Sequence, residues 1–243
     1  MQTLRAFFKL LRILRCVFFG YWRIKTEFPK LEPQAQALAV EEWSRDMLSI
    51  MGITVRLQGK PSDGPVLMAA NHISWLDILV MHAARHCRFI AKSEIRDWPL
   101  LGVLTAGGGS LFIERSSHRD AKRVVHLMAE ALSQGQVLGV FPEGGTGDGK
   151  TLLPFHGNLL QAAIEAQSLI QPVGLQFLEA ESGMKSFAPC YQAEDTLLGS
   201  VWRTLCAPPL VVIVHYGEKE LAQGRSRRQW AQDLRASIEE LVV

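Results

Sequence analysis

A histidine and an aspartate five residues apart, in the stretch VLMAANHISWLDIL, form the candidate acid–base pair of this chain. Histidine is the side chain that takes up and releases a proton most readily near neutral pH, and a carboxylate on its far ring nitrogen would fix the tautomer. His72 follows an apolar run typical of a strand, and Asp77 stands in the first turn of the next predicted helix, so the chain must turn between them. Two alternatives stay open: Ser74 and Asp77 have the spacing of a helix capping box, and His72 alone could be a structural histidine.

Two further polar segments follow predicted strands and contain groups suited to anions. In the segment GGGSLFIERSS, Arg115 follows a predicted strand and has a planar guanidinium that can hold a phosphate. Glu143 and Gly144 follow another strand in FPEGG, where glycine N–H groups can approach an anion or an oxyanion. The alternatives are a surface arginine and a tight turn. Because ligands bind at the carboxyl ends of strands in α/β sheets, the combination indicates acyl or phosphoryl transfer to a hydroxyl.

The stretch GGTGDGKT, residues 144–151, matches the phosphate-loop pattern of nucleotide hydrolases. A working phosphate loop continues directly into a helix, whereas here Pro154 follows three residues after Thr151 and disfavours one. The late apolar strand PLVVIVHY ends in His215 and Tyr216, not in an aspartate that could hold magnesium. The surrounding sequence therefore argues against nucleotide hydrolysis.

The elements that must position these residues alternate between strand and helix patterns from residue 52 onward. This alternation predicts an α/β fold with a mixed, mostly parallel sheet of about seven strands flanked by helices. The predicted strands cover residues 53–58, 66–70, 88–91, 110–113, 137–141, 171–177 and 210–216. The predicted helices among them cover residues 75–85, 120–133, 158–167 and 226–241. Two more helices precede the first strand, so we expect a catalytic domain at 52–243 and an N-terminal helical unit at 1–51.

The N-terminal helix is basic and amphipathic. Residues 1–30 contain seven basic residues and one acidic residue, whereas the whole chain has a net charge of +2. The longest uncharged run within residues 4–24 is seven residues, too short for a membrane span of roughly 20 residues and poorly suited to a signal peptide. Four cations fall near one helical stripe, and large apolar residues occupy the rest: Arg5, Lys9, Arg12 and Arg15 against Phe7, Phe8, Leu11, Leu14 and Phe18. This pattern favours a helix that lies in the membrane interface, with its bases toward anionic headgroups, over one docked on the protein's own core.

Composition disfavours several other classes of protein. A net charge of +2 gives no reason to expect nucleic acid as a partner, and four cysteines without metal or disulfide spacing are typical of a reduced cytoplasmic protein. His82 and His86 are one helical turn apart, but H-E-x-x-H is absent and a packed or solvated helix face explains them better than zinc does. The nucleophile elbow G-x-S-x-G of hydrolases is absent as well.

Taken together, these motifs resemble those of the glycerolipid acyltransferases typified by 1-acylglycerol-3-phosphate acyltransferase, over roughly residues 35–240. The first motif of that family, N-H-x-x-x-x-D, is matched by Asn71, His72 and Asp77. The second and third are matched by Gly109, Phe112, Ile113 and Arg115, and by Phe141, Pro142, Glu143 and Gly144; a fourth falls at Pro172–Val173. Two departures concern the acceptor: Gly145 replaces the usual threonine of the third motif, with Thr146 next to it, and His156 replaces a usual lysine.

The resemblance implies an enzyme that transfers a fatty acyl group from acyl-CoA or acyl carrier protein to a lysophospholipid hydroxyl, with lysophosphatidic acid as the expected acceptor and phosphatidic acid as product. It implies no metal or cofactor, His72 as general base and Asp77 as the residue that orients it. The implied substrate-binding residues are Asn71, Arg115, Glu143, Gly144 and Thr146. We expect a monotopic or peripheral protein on the cytoplasmic face of the inner membrane, in contact with anionic lipids. The alternatives are an acyltransferase for another lysolipid such as lyso-ornithine lipid, and a non-catalytic membrane-binding protein.

Overall fold

Seven strands form one sheet in the computed structural model, which describes residues 2–114, 118–192 and 194–242. In chain order they are β1 (Ile53–Gln58), β2 (Val66–Ala70), β3 (Arg88–Lys92), β4 (Leu111–Ile113), β5 (Val137–Val140), β6 (Ile170–Glu179) and β7 (Leu210–Tyr216). Across the sheet the order is β1-β7-β6-β2-β5-β3-β4, and every neighbouring pair is parallel except β6 and β7. The predicted mixed, mostly parallel sheet of seven strands is confirmed.

Eight α-helices and two short 3-10 helices, Phe28–Lys30 and Ser93–Asp97, accompany the sheet in the described part of the chain. The α-helices are α1 (Gln2–Thr26), α2 (Pro33–Met51), α3 (Leu76–Ala84), α4 (Leu101–Gly107), α5 (His118–Ser133), α6 (Gln161–Glu165), α7 (Leu197–Cys206) and α8 (Arg227–Leu241). The sequence patterns missed two of them. Helix α4 is only seven residues long and contains two glycines, which weaken any helical pattern, whereas the start of α7 had a readable signal in the cap residue Thr196.

Strand β2 is buried on both faces and lies at the centre of the sheet. Val66, Met68 and Ala70 pack into the core beneath α2 and α3. Leu67 and Ala69 pack into a second core beneath α5 and α8. All five residues of β2 are buried, as expected for a strand covered by helices on both sides. The residues that follow β2 are therefore attached to a strand that is packed on both faces.

The N-terminal helices are packed against the rest of the protein. Met47, Leu48 and Met51 of α2 belong to the first core. Lys9 of α1 donates a hydrogen bond of 2.8 Å to the carbonyl oxygen of Met51, and its partial burial lowers its pKa. Trp43 of α2 donates one of 3.1 Å to the carbonyl oxygen of Cys16 in α1. One face of α1 is thus docked on the protein, and one of the four stripe cations points inward.

No helix among the described residues is both long enough and apolar enough to cross a bilayer. The outer face of α1 nevertheless exposes eight large apolar side chains. They are Leu4, Phe7, Phe8, Leu11, Leu14, Phe18, Phe19 and Trp22.

Gly139 of β5 tests how tightly the sheet is packed below the predicted catalytic turn. A Cβ atom at this position would lie 2.7 Å from Cε1 of Phe89 and 2.8 Å from Sγ of Cys87, and Phe89 is itself packed against Phe141. We expect Gly139→Ala to lower the free energy of unfolding by about 1 to 3 kcal/mol, measured in urea. Gly64→Ala is the matched control, because no atom lies within 4 Å of its added Cβ. Equal stability of the two variants would contradict the packing described here.

Candidate active site

His72 and Asp77 meet across a tight turn between β2 and α3. Nδ1 of His72 lies 2.9 Å from Oδ2 of Asp77, and the same oxygen accepts the backbone N–H groups of Ile73 at 2.7 Å and Ser74 at 2.9 Å. Asp77 is completely buried. The two roles left open by the sequence therefore coexist: one carboxylate oxygen closes the turn at the start of α3 and holds the imidazole.

The free nitrogen of His72 is Nε2. Because a carboxylate can only accept a hydrogen bond, Nδ1 carries the proton and Nε2 presents its lone pair. Nε2 has no hydrogen-bond partner in the described part of the chain, and the side chain remains 17% exposed. The ring of Phe141 stacks on the imidazole at a centroid distance of 4.0 Å. An oriented imidazole with an accessible lone pair is the arrangement that a general base requires.

Glu143 holds the backbone of His72. Its Oε1 accepts the His72 N–H at 2.7 Å, and its Oε2 accepts the N–H of Leu153 at 2.8 Å. The N–H of Gly147, four residues later, donates to the His72 carbonyl oxygen at 2.8 Å. Burial raises the pKa of Glu143, and the two backbone hydrogen bonds oppose that rise. With both oxygens engaged and only 5% of the residue exposed, the geometry favours positioning of His72.

Asn71 joins the end of β2 to β6. Its side-chain Nδ2 donates to the carbonyl oxygen of Leu175 at 3.0 Å, and its Oδ1 accepts the Leu175 N–H at 2.7 Å. The amide is buried, and both of its groups are occupied by the backbone of one residue, Leu175. The structure thus shows a link between neighbouring strands, while contact with substrate stays a prediction.

The turn after Glu143 presents unused donors. Gly144 has a φ of +74°, in the left-handed region that favours glycine, and both it and Gly145 are exposed. The N–H groups of Gly145 and Thr146 and the Thr146 hydroxyl make no hydrogen bond with any described residue. A side chain at Gly145 would meet open space, so the departure from threonine there reflects no steric conflict. Arg115, the predicted phosphate clamp, lies outside the described residues.

The segment that imitates a phosphate loop has a different role. Its Asp148 accepts the N–H groups of Lys150 at 2.9 Å and Thr151 at 3.2 Å, which a phosphate loop would direct at its ligand. No helix begins between Thr151 and Gln161. Because the N–H of Gly147 donates to the carbonyl oxygen of His72, the segment helps to position His72.

A large apolar cavity lies behind the active site. Its volume is about 580 Å³, and α1, α2, α3, β3, α4 and α7 all contribute to its walls. Phe89 lines the cavity and stacks on Phe141, and Phe141 stacks on His72. Two aromatic rings therefore lie between the cavity and the imidazole. No sequence pattern indicated this cavity, because its walls come from segments far apart in the chain.

His82 and His86 stack on each other at a centroid distance of 5.2 Å beside this cavity. Burial, with a smaller contribution from His86, lowers the pKa of His82 to about 3, so this imidazole is neutral. Within the part of the chain that the structure describes, no group of three potential metal ligands occurs. The pair is packed into the helix interface.

Comparison with known proteins places this geometry in a family. The family model described as Acyltransferase matches residues 52–176. A 1-acyl-sn-glycerol-3-phosphate acyltransferase of Neisseria meningitidis serogroup B is 37% identical over 186 residues, which cover 76% of this chain and 72% of that protein. A lyso-ornithine lipid O-acyltransferase of Pseudomonas aeruginosa is 33% identical over 196 residues, covering 81% and 75%.

A solved structure has the same fold. It is the crystal structure of the 1-acyl-sn-glycerophosphate (LPA) acyltransferase PlsC from Thermotoga maritima, with a TM-score of 0.70 at 20% sequence identity. The likeness covers 99% of this chain and 94% of that one, so it includes the N-terminal helices as well as the sheet.

The raised pKa of Glu143 predicts a pH dependence of stability. The folded protein retains this proton to a higher pH than the unfolded chain, so the resulting stabilisation is complete below the ordinary glutamate pKa and is lost as pH rises through the folded value. We expect the unfolding free energy of the wild type, minus that of Glu143→Gln, to fall with rising pH in urea titrations. The control is the same substitution at an exposed position, Glu218→Gln. A difference for Glu143→Gln that grows with pH would contradict the assignment.

Proposed function

The chain belongs to the Acyltransferase family and is an acyltransferase, and from that premise we propose that it moves a fatty acyl group from an acyl thioester to the free hydroxyl of a lysolipid. The observation that supports this proposal most directly is the free Nε2 of His72, opposite the nitrogen that Asp77 holds. A non-catalytic membrane protein with this fold would need neither the pair nor the accessible nitrogen.

The proposed reaction is direct attack without an acyl-enzyme. Nε2 of His72 takes the acceptor hydroxyl proton as the oxygen attacks the thioester carbonyl, and a tetrahedral oxyanion forms. The N–H groups of Gly145 and Thr146 are available to hold that oxyanion or the acceptor's anionic group. The carbon–sulfur bond then breaks, and the imidazolium returns the proton to the departing thiolate. Asp77 keeps the imidazole in the reactive tautomer throughout.

The apolar cavity suits the fatty acyl chain. It is large, its walls are mostly aliphatic and aromatic, and Phe89 connects it to the Phe141–His72 stack. The donor is acyl-CoA or acyl carrier protein, which share the thioester and differ in the group that bears it.

Two acceptors merit testing, because the two relatives act on different lysolipids. Lysophosphatidic acid is the first candidate, since the Neisseria relative carries that name and the unused N–H groups of the Gly144–Thr146 turn suit a phosphate. Lyso-ornithine lipid is the second, since the Pseudomonas relative matches a slightly larger share of this chain.

We also propose that residues 1–51 attach the enzyme to the cytoplasmic face of the inner membrane, with residues 52–243 as the catalytic domain. The outer face of α1 exposes its large apolar side chains next to Arg5, Arg12 and Arg15, which are exposed as well. Such a face suits the boundary between acyl chains and anionic headgroups. Both lipid substrates would then be available at the surface that the protein touches.

Removal of the proposed base tests the reaction. We expect His72→Ala to lower thioester-dependent acylation by about 10² to 10⁴ with either lysolipid, because general-base catalysis contributes that range. The control is His126→Ala, at an exposed position on α5, which should keep full activity. The assay compares lysophosphatidic acid with lyso-ornithine lipid, using one acyl thioester and radiolabelled product. Near-normal activity of His72→Ala would exclude the mechanism.

The cations of α1 test the membrane assignment. Deletion of α1 would uncover the apolar cavity that it lines, so point substitutions are cleaner. We expect Arg5→Gln with Arg12→Gln to weaken binding to anionic vesicles by on the order of ten-fold or more, since each interfacial cation contributes about 1 kcal/mol. Arg227→Gln with Arg228→Gln, which removes the same two charges at exposed positions, is the control. Binding that resists both the substitutions and added salt would refute electrostatic attachment through α1.

A further inference from the structure

Helix α7 exposes apolar side chains that its own fold leaves uncovered. Leu198 is 82% exposed, more than any other large apolar side chain among the described residues. Leu197 and Trp202 on the same helix are 42% and 38% exposed. These residues lie within the ten-residue segment LLGSVWRTLC, whose single charge is Arg203.

The exposure does not arise from loose packing, because the opposite face of α7 is firmly held. Ser200, Thr204 and Leu205 are buried. Ser200 accepts a hydrogen bond of 3.2 Å from the indole of Trp75, which stands between Ser74 and the catalytic helix α3. Arg203 pairs with Asp195 at 2.8 Å and donates to the backbone carbonyl groups of Ala188 and Cys190. The outer residues of α7 are therefore presented on a fixed helix.

The neighbour of α7 is α1. The two helices are in contact. Leu197 and Val201 of α7 line the apolar cavity together with Val17 of α1. Leu198 and Trp202 are therefore exposed on a helix that packs against α1.

We propose that α7 is a second membrane-contacting element, whose Leu198 and Trp202 enter the same lipid surface as the outer face of α1. The inference rests on the proposed function, since it requires α1 to meet a bilayer. Lipid is the occupant because α7 packs against α1, the helix whose outer face is apolar and cationic, and because Trp202 combines a large apolar ring with a polar N–H, as residues at membrane interfaces do. A bilayer in contact with both helices meets two walls of the cavity, so an acyl chain reaches it without crossing water.

The experiment measures binding of the full chain to sucrose-loaded vesicles of phosphatidylethanolamine and phosphatidylglycerol. We expect Leu198→Glu and Trp202→Glu each to lower the partition coefficient by on the order of ten-fold. Each substitution removes an apolar side chain from its proposed place in the lipid and adds a charge. The controls are Met184→Glu and Leu221→Glu, which introduce the same charge at exposed apolar positions outside α1 and α7. These should stay within about two-fold of the wild type.

A second readout separates surface contact from catalysis. Acylation of a vesicle-borne lysolipid should fall in parallel with binding for Leu198→Glu, whereas acylation of a short-chain, water-soluble acceptor should remain at the wild-type rate. Leu198 and Trp202 are absent from the described walls of the cavity, so their substitution leaves the site intact.

The outcomes are distinguishable. If Leu198→Glu and Trp202→Glu bind vesicles like the wild type, or if the controls lose as much binding, α7 makes no specific membrane contact. A change in oligomeric state by light scattering, without a change in vesicle binding, would assign the face to a second copy and overturn the proposal. If Leu198→Glu loses vesicle binding while the wild-type protein shows no thioester-dependent acylation, the α7 contact is supported and the proposed reaction is refuted.

Discussion

The active site depends on one carboxylate oxygen, Oδ2 of Asp77, which accepts three hydrogen bonds at once. A carboxylate that is fully buried is costly unless donors surround it, and here the donors are the two peptide groups of the turn and the imidazole. The shape of the turn, the burial of the carboxylate and the tautomer of His72 therefore require one another. Oδ1 of Asp77 is buried with no partner among the described residues, so the stabilisation of this carboxylate is concentrated on a single atom.

The rest of the site supports that contact from outside. Glu143 and Gly147 hold the N–H and the carbonyl group of His72. The side chain of Asn71, the residue before His72, bonds to β6. Phe141 restricts the imidazole from one side. These contacts come from the ends of β2 and β5 and from the middle of β6, in a sheet whose central strand is buried on both faces. Such a histidine needs little reorganisation when substrate arrives, which is the condition under which a positioned base is effective.

Sequence reasoning succeeded where the information is local. The N-H-x-x-x-x-D spacing predicted the His72–Asp77 contact because both partners lie in one turn, and the strand patterns placed β1, β2 and β7 at their observed ends. It gave no indication of contacts between residues that are distant in the chain. Glu143 holds a residue 71 positions away and Asn71 one 104 positions away, and such buried hydrogen-bond partners leave no local pattern. Contact of Asn71 and Glu143 with substrate stays a prediction. Lys9 fits the cationic stripe by periodicity, yet it bonds to the end of α2.

Helix α1 shows why a basic amphipathic helix need not have one role. Its inner face is docked through Lys9 and Cys16 and lines the apolar cavity, while its outer face exposes aromatic and aliphatic side chains with Arg5, Arg12 and Arg15. The same helix therefore forms a wall of the proposed acyl site and a surface suited to lipid. Because the cavity wall and the outer surface are opposite faces of one helix, a bilayer against α1 would lie only one helix diameter, about 10 Å, from the cavity. The proposed membrane attachment and the proposed acyl site would then depend on the same packing, and a substitution on the outer face tests the first without removing the second.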